Sequence, residues 1–308
     1  MPMPPNVNGV YQTIHATVNA SIAEALTDPL YQPQAAPLIS ELSVDDTKVD
    51  FSFMLDNNGL KELKKNIEKK AAIEKQIAII SKEWQDNLTV PLRDLRSSHG
   101  DMYRMRARSM GQNVGGWKDQ QVAALLKSGG PAFTTASFDG VSFFNASHPM
   151  NLAGENIAAY SNLDSGGAGQ YWYLFDTRRL KPIILNWKTR PETQDIGPDS
   201  EHAKLYKEVM WNLYCDAGFG LTLWHYAYAS NQTLNETNFN AARQEMEAVP
   251  SYAKTSDDQV MGVMPTLLVV GRSNRLAAEK LIKSETINGG DKNPLYNATD
   301  LLVLTYLP

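Results

Sequence analysis

The chain contains a single cysteine, Cys215, whose thiol is the most reactive nucleophile in the sequence. A thiol becomes a catalytic nucleophile when a histidine and a carboxylate lie beside it. His202 and His225 are the nearest histidines in sequence, but neither belongs to a motif typical of catalytic histidines. The favoured interpretation is a buried structural cysteine, because unpaired cysteines usually pack as small apolar residues.

His148 is the second residue with possible chemistry, since it lies in a predicted loop and is followed by Pro149. An imidazole in such a position can act as a general base. The ring nitrogens of a loop histidine more often serve as hydrogen-bonding anchors, and we predict that role for His148. A cytoplasmic α+β hydrolase that uses His148 or Cys215 remains the enzymatic alternative.

Metal and phosphate sites have spacings that this sequence lacks. It contains neither His-x-x-x-His nor His-Glu-x-x-His, and no Gly-x-x-x-x-Gly-Lys-Ser/Thr loop. The glycine-rich run 166–169 does not join a strand to a helix in the dinucleotide pattern, so it predicts a mobile surface loop. The sequence therefore predicts no catalytic, metal-binding or cofactor-binding residues, no cofactor and no enzymatic activity.

The composition is typical of a globular protein with a sizeable core. Of 308 residues, 43% are hydrophobic and 20% charged, which suits one large domain or two ordinary ones. The net charge of −5 argues against a protein whose main task is to coat nucleic acid. One cysteine excludes an internal disulfide and fits a reducing compartment. Neither a membrane span nor a signal peptide is predicted.

Residues 1–45 predict an arm rather than part of the core. Pro29, Pro33 and Pro37 interrupt regular structure every few residues. The stretch His15–Leu26 is compatible with a short helix. We expect the arm to become ordered against a neighbouring subunit, with no segment removed before it.

The next stretch of the chain changes period twice. Apolar residues three and four apart predict a helix over 60–72, whose interleaved lysines and glutamates indicate a solvated face. Alternation predicts strands over 76–92. These strands have few apolar neighbours in sequence, so we expect a projecting hairpin that is stable only when packed on something else. One long bent helix, or two helices in series, is predicted over 100–128, because glycines lie between the apolar stripes.

Turn and capping signals predict the remaining elements. Asp139-Gly140 is a two-residue turn typical of a hairpin, here over 133–145, and Ser200 is a predicted helix N-cap. The other predicted elements are strands at 171–175 and 180–187, a helix at 200–213, a helix from Thr237 through Met246, a buried strand at 266–270, a helix from Ser273 or Asn274 to Leu281, and a terminal strand at 301–307.

A series of collinear segments carries a family resemblance. Residues 138–149 contain Asp-Gly, then Phe-Phe, then His-Pro. The other segments that carry the resemblance are 174–184, 218–239, 264–270 and Asn293-Pro294. In this order and spacing they resemble the major head subunits of Mu-like phages, from about residue 75 to the C-terminus.

That resemblance implies the α+β Hong Kong 97-type capsid fold. In this fold an N-terminal arm, an E-loop hairpin, a peripheral P-domain with a spine helix and an axial A-domain build hexamers and pentamers. The implied boundaries are an N-terminal arm at 1–45, part of the P-domain at 46–75, the E-loop at 76–100, the spine helix at 101–130, P-domain strands and loop at 131–195, the A-domain at 196–289 and a C-terminal return strand at 290–308.

The implied function is that of a major capsid protein, which self-assembles into the icosahedral head that encloses double-stranded phage DNA. Its implied partners are copies of itself, scaffold, protease, portal and decoration proteins, and packaged DNA on the inner face, with no membrane. The implied location is the virion capsid, assembled in the cytoplasm of the bacterial host. An encapsulin-like compartment, which shares the fold but holds protein cargo, is the structural alternative.

Contacts between subunits are predicted within the expected E-loop. Burial of apolar surface and steering by charge would both contribute there. The predicted contact residues are Trp84, Leu88, Leu92, Arg93, Asp94 and Arg96.

Overall fold

A computed structural model describes residues 5–54, 74–94, 100–149, 159–250, 260–287 and 290–308. The helix predicted over 60–72 and the contact residue Arg96 lie outside these ranges. The helices are α1 (Pro5–Thr27), α2 (Gly100–Leu126), α3 (Pro131–Thr134), α4 (Glu201–Tyr206), α5 (Glu236–Glu247) and α6 (Arg275–Ala278), the last continued by one π-helical turn (Glu279–Lys283).

The described strands form three sheets. The strands are β1 (Ile39–Ser43), β2 (Lys48–Met54), β3 (Glu74–Ile80), β4 (Lys82–Pro91), β5 (Leu163–Asp164), β6 (Trp172–Phe175), β7 (Ile183–Ile196), β8 (Glu208–Leu221), β9 (Ala227–Ser230), β10 (Leu267–Val270) and β11 (Asp300–Val303). One sheet has the order β1-β7-β8-β4, a second has the order β11-β10-β6-β9-β5, and the third is the pair β2-β3.

The N-terminal arm begins with a long helix that packs on its own subunit. Tyr11, Val18 and Ile22 recur at spacings of seven and four, and all three are buried in a core that also contains Tyr103 and Met110 of α2. The helix with which the sequence at His15–Leu26 was compatible is present, and it extends over Pro5–Thr27. The expectation that the whole arm is extended and orders only against a neighbour is wrong for α1, whose apolar stripe is covered within the subunit.

The glycines of α2 are points of close approach, and the predicted long helix is continuous through them. A Cβ atom on Gly111 would lie 2.6 Å from the Cβ of Ala25, and one on Gly115 would lie 2.1 Å from the carbonyl oxygen of Tyr31. No side chain fits in either gap. The glycines that weaken the helix by propensity therefore allow α1 and the turn after it to pack on α2.

The larger core lies around the second half of α2 and the five-stranded sheet. Val122 and Leu126 of α2 are buried, as are all four residues of β6 and of β10. Both strands are thus buried on both faces, which explains the continuous apolar runs in the sequence. The strands predicted at 171–175 and 266–270 are confirmed, and that at 180–187 begins at Ile183 and is longer than predicted.

The predicted hairpin at 76–100 is wrong in its pairing, although both of its strands exist. β3 pairs with the preceding strand β2, with Val49 opposite Ile79 and Phe51 opposite Ile77. β4 instead pairs with β8, over 100 residues later in the sequence, with Trp84 opposite Cys215. The hairpin of this region is therefore the β2-β3 ribbon (residues 48–54 and 74–80), and β4 is part of the body.

The helix predicted over 200–213 ends at Tyr206. Ser200 is the N-cap, as predicted, and its Oγ accepts a hydrogen bond from the backbone N–H of Ala203. Lys207 then adopts a left-handed conformation with φ of 59°, which ends the helix. Beyond it, alternate residues at the start of β8 are buried, as is typical of a strand. The spacing of four between Leu205, Val209 and Leu213, which predicted a helix, is also compatible with this strand.

Several further predictions are partly right. Gly140 has φ of +85° in the expected tight turn, but the hairpin at 133–145 contains only a single bridge, between Ala136 and Ser142. α5 is confirmed, whereas the helix from Asn274 is short. The terminal strand ends at Val303. The glycine run 166–169 is not a free loop, since Gly167 and the Asn231 side chain exchange two hydrogen bonds of 2.8 Å.

Candidate functional site

Cys215 has the properties of a packing residue. It lies on β8 and is buried. Burial, together with the neighbouring carboxylate of Asp216, raises the pKa of its thiol to about 11. Since the thiolate is the nucleophile, a thiol that stays protonated at neutral pH is poorly suited to nucleophilic catalysis.

His148 is fully buried, and both of its ring nitrogens face oxygen atoms. Nδ1 lies 2.7 Å from Oδ2 of Asp139, and Nε2 lies 3.0 Å from Oδ1 of Asn162. The Asn162 amide also donates to the carbonyl of Phe143 at 2.9 Å. These contacts join the 139–140 turn to the segment before β5. The geometry supports the predicted loop-anchor role and leaves neither nitrogen free to act as a base.

The ring of His148 belongs to a column of stacked rings. It lies on one side of the Trp224 indole with a centroid separation of 3.9 Å, and His225 also stacks on Trp224 at 3.7 Å. Phe138 stacks on His225 in turn. Complete burial, with a smaller contribution from His148, lowers the pKa of His225 well below its ordinary value. His225 is therefore neutral in the folded protein at neutral pH.

An Asp–Arg pair fixes the turn after β6. The Arg178 guanidinium donates to both carboxylate oxygens of Asp176, at 2.9 and 2.6 Å, and the Met264 amide donates to the same carboxylate at 2.9 Å. Burial alone would raise the pKa of Asp176, but the hydrogen bonds from Arg178 and Met264 outweigh it and lower the pKa. This site joins the turn after β6 to the segment at Met264. Its contacts are those of a structural ion pair.

Of the predicted subunit contacts, the apolar ones are largely used inside the subunit. Leu88 is only 1% exposed and lies in the core beside α1 and α2, so its prediction as a contact is wrong for the subunit as folded. Trp84 is half-buried, donates from Nε1 to the Ala217 carbonyl at 3.2 Å and packs edge-on against Trp117. Leu92 packs partly against the same core as Leu88.

The charged members of the predicted set are more accessible. The Arg93 side chain is 86% exposed and lies 3.3 Å from a carboxylate oxygen of Asp94. Asp94 also accepts a hydrogen bond of 2.9 Å from the hydroxyl of Tyr103, which fixes it to α2. Their role in contacts between subunits stays a prediction.

The β2-β3 ribbon is the surface that the sequence interpretation misplaced. On one face Val49, Phe51 and Ile77 are half-buried and Ile79 is buried, whereas Ile80 on the other face is 61% exposed. Ile79 is seated over Gly218 and Gly220 of β8, where any Cβ would lie within 2.8 Å of its side chain. The alternation of Val49, Phe51 and Phe53 is a strand signal that could have predicted β2.

The ribbon is not sealed onto the body along its length. A groove of 390 Å³ lies between β3, β8, the end of α2 and the loop after α3, with Ile77, Leu125 and Phe138 among its walls. A two-stranded hairpin is marginally stable in water without further packing. The ribbon therefore has exposed apolar surface that can pack against another molecule.

The described ranges are residues 5–54, 74–94, 100–149, 159–250, 260–287 and 290–308. There, no group of three or more histidine, cysteine or acidic residues could hold a metal ion. No helix within them combines the length and apolar character needed to cross a membrane.

The chain has the fold of solved phage capsid subunits. It is similar to a subunit of the bacteriophage JBD30 procapsid, with a TM-score of 0.81 and 22% identity, covering 99% of this chain and 100% of that one. It is also similar to a subunit of the JBD30 capsid, with a TM-score of 0.73 and 16% identity, covering 92% and 95%. The predicted α+β, Hong Kong 97-type fold is confirmed.

The chain belongs to the family of the Mu-like prophage major head subunit gpT, whose model matches residues 12–307. It is 28% identical to the Mu-like prophage FluMu major head subunit of Haemophilus influenzae over 216 residues, 68% of each chain. It is 26% identical to the major capsid protein of Escherichia phage Mu over 240 residues, 75% of this chain and 76% of that one. The family resemblance seen in the sequence is confirmed, and the protein is a phage major capsid protein.

Proposed function

We propose that copies of this chain assemble as hexamers and pentamers into a closed icosahedral head that encloses double-stranded phage DNA. The observation that carries the proposal is the family match, which spans nearly the whole chain. The chain acts by self-association, and it is not an enzyme. Assembly takes place in the cytoplasm of the bacterial host, and the product is part of the virion.

The β2-β3 ribbon acts as the E-loop in this proposal. Its exposed face and the groove beside it offer apolar surface, such as Ile80, to a neighbouring copy. Arg93 and Asp94 are retained as charged contacts, with Trp84, Leu92 and Arg96 as nearby members of the same set. The shell gains stability because each copy buries surface of its neighbours that is exposed in the isolated subunit.

The other partners follow from the same proposal. Scaffold, protease and portal act during assembly, and packaged DNA lies against the inner face. A related JBD30 capsid is decorated with minor capsid protein trimers, and decoration proteins are proposed for this shell also. The net charge of −5 suits a container that does not bind its DNA tightly along the whole surface.

Expression of the full chain, with electron microscopy and sedimentation, tests the proposal. Closed shells, or capsomers that close when scaffold is supplied, are the expected products. A chain that stays monomeric under every salt and scaffold condition would contradict it. Nucleic acid recovered from particles made during infection separates a phage head from an encapsulin-like compartment, whose particles would contain protein cargo instead.

A variant pair tests the role of the ribbon. Ile80→Asp places a charge on the exposed face and should reduce particle yield at least tenfold while the subunit stays folded. Ile80→Val, which keeps an apolar side chain at the same position, is the matched control and should assemble like the wild type. Normal particle yield from Ile80→Asp would remove the ribbon from the contact surfaces.

A further inference from the structure

A second exposed apolar surface lies at the tip that joins β7 to β8. Here Leu205 and Tyr206 are adjacent in sequence, and they are 68% and 66% exposed. Single exposed apolar residues are normal on a protein surface, whereas adjacent ones form the contiguous apolar surface that is typical of interaction sites. We call residues 197–207 the β7-β8 tip.

The tip holds the Tyr206 ring and the backbone of both residues in place. The Tyr206 ring packs against His202 at 4.7 Å, and His202 in turn lies 3.2 Å from a carboxylate oxygen of Glu208. The Ser200 cap, the left-handed Lys207 and a hydrogen bond of 2.8 Å from the Leu92 amide to the Lys207 carbonyl fix the backbone. An exposed aromatic ring that is already held in one orientation loses little entropy when it binds.

The same tip carries charges of both signs around the apolar pair. Asp199 and Glu201 are exposed on the N-terminal part of the tip, and Lys204 and Lys207 are exposed on the C-terminal part. Within the described structure none of these four forms an ion pair. A small surface with an apolar centre and unpaired charges of both signs is complementary to a copy of itself.

We propose that the β7-β8 tips of neighbouring copies meet in the shell. Leu205 and Tyr206 of one copy bury against the same pair in another, and Glu201 or Asp199 of one faces Lys204 or Lys207 of the next. This inference rests on the proposed function, and it names a contact at which copies meet. The patch is far smaller than the roughly 800 Å² per partner of a stable interface. The contact is therefore weak in isolation and is strengthened by the other contacts of the shell.

Substitutions at the tip of the full-length chain test the inference. Leu205→Asp and Tyr206→Asp should lower the yield of closed particles at least tenfold, whereas Leu205→Ile should assemble like the wild type. Circular dichroism and melting temperature should be unchanged, because both side chains are already in solvent. Glu201→Lys and Lys204→Glu should each lower the yield, and the double exchange should restore it.

Cross-linking reports the contact independently of yield. Cys215 is buried, so a cysteine introduced by Leu205→Cys is the accessible thiol of the chain. Mild oxidation should give covalent dimers in assembled particles, but not in unassembled subunits or in wild-type particles. Absence of these dimers in particles, or wild-type yield from Leu205→Asp, would overturn the inference alone. A wild-type chain that forms no particles would overturn the proposed function, and the inference with it.

Discussion

The imidazole of His148 lies parallel to the indole of Trp224, with ring planes 12° apart and centroids 3.9 Å apart. Trp224 is itself fully buried, and the two rings come from segments separated by more than 70 residues. The stack, and the hydrogen bonds that His148 makes at its edges, join the 139–140 turn to the aromatic segment before β9. This contact is why a histidine within a loop is fixed so firmly.

Replacement of His148 by alanine should lower the free energy of unfolding by about 3 kcal/mol, since it removes the imidazole partner of Asp139 Oδ2 and of Asn162 Oδ1 and opens a cavity beside Trp224. Urea unfolding of the unassembled subunit measures this. His202→Ala is the control, because its ion pair with Glu208 is partly exposed and should be worth less than about 1 kcal/mol. Equal losses in both variants would show that His148 is not an anchor.

His225 should make the subunit less stable in mild acid. Its pKa in the fold lies well below its ordinary value of 6.5, so below that pH the unfolded chain binds a proton that the folded chain does not. Stability therefore falls as the pH drops from 6.5 toward the folded pKa, by up to about 1.4 kcal/mol per pH unit. Unfolding free energies measured between pH 8 and pH 5 test this.

The variant His225→Phe isolates that effect, because phenylalanine keeps a ring between Trp224 and Phe138 and does not titrate. Its unfolding free energy should depend less on pH over this window than that of the wild type, because unfolding of the variant takes up about one proton fewer. Identical slopes for the two proteins would assign the acid sensitivity to other groups.

Gly115→Ala should destabilise the subunit although alanine is the better helix former. Its Cβ would lie 2.1 Å from the Tyr31 carbonyl oxygen, and relief of that clash requires the segment after α1 to move, at a cost of about 1–3 kcal/mol. Gly9→Ala in α1 is the matched control, since nothing lies within 4 Å of its Cβ. That variant should gain up to about 1 kcal/mol. Thermal unfolding of both gives the sign, and a stabilised Gly115→Ala protein would refute the packing argument.

Arg178→Ala should cost about 2 kcal/mol of unfolding free energy, because it leaves the buried Asp176 carboxylate with only backbone donors. The figure is modest since the guanidinium is 41% exposed. Arg275→Ala removes an exposed i,i+4 pair with Glu279 and should cost under about 0.5 kcal/mol. Guanidinium chloride unfolding compares them, and a negligible loss for Arg178→Ala would mean that the Asp176 site does not hold the 262–264 segment.

Local signals in the sequence determined a good part of this protein. The Ser200 cap, the Asp139-Gly140 turn, the buried strand β10 and the long helix α2 each depend on residues within a few positions of one another, so their patterns predict them directly. The collinear segments between residues 138 and 294 also identified the family, and with it the fold.

The tertiary structure decided which strands pair and which surfaces remain exposed. β4 joins β8 across more than 100 residues, so nothing near β4 in sequence could show that Leu88 is buried while the hairpin lies at β2-β3. The glycines of α2 looked like weak points until Ala25 and Tyr31 were placed against them. Leu205 had the spacing of a buried helix face with Val209 and Leu213, and only the turn at Lys207 left Leu205 and its neighbour Tyr206 in solvent. Pairing and exposure depend on contacts between distant segments, and local periodicity contains no information about those.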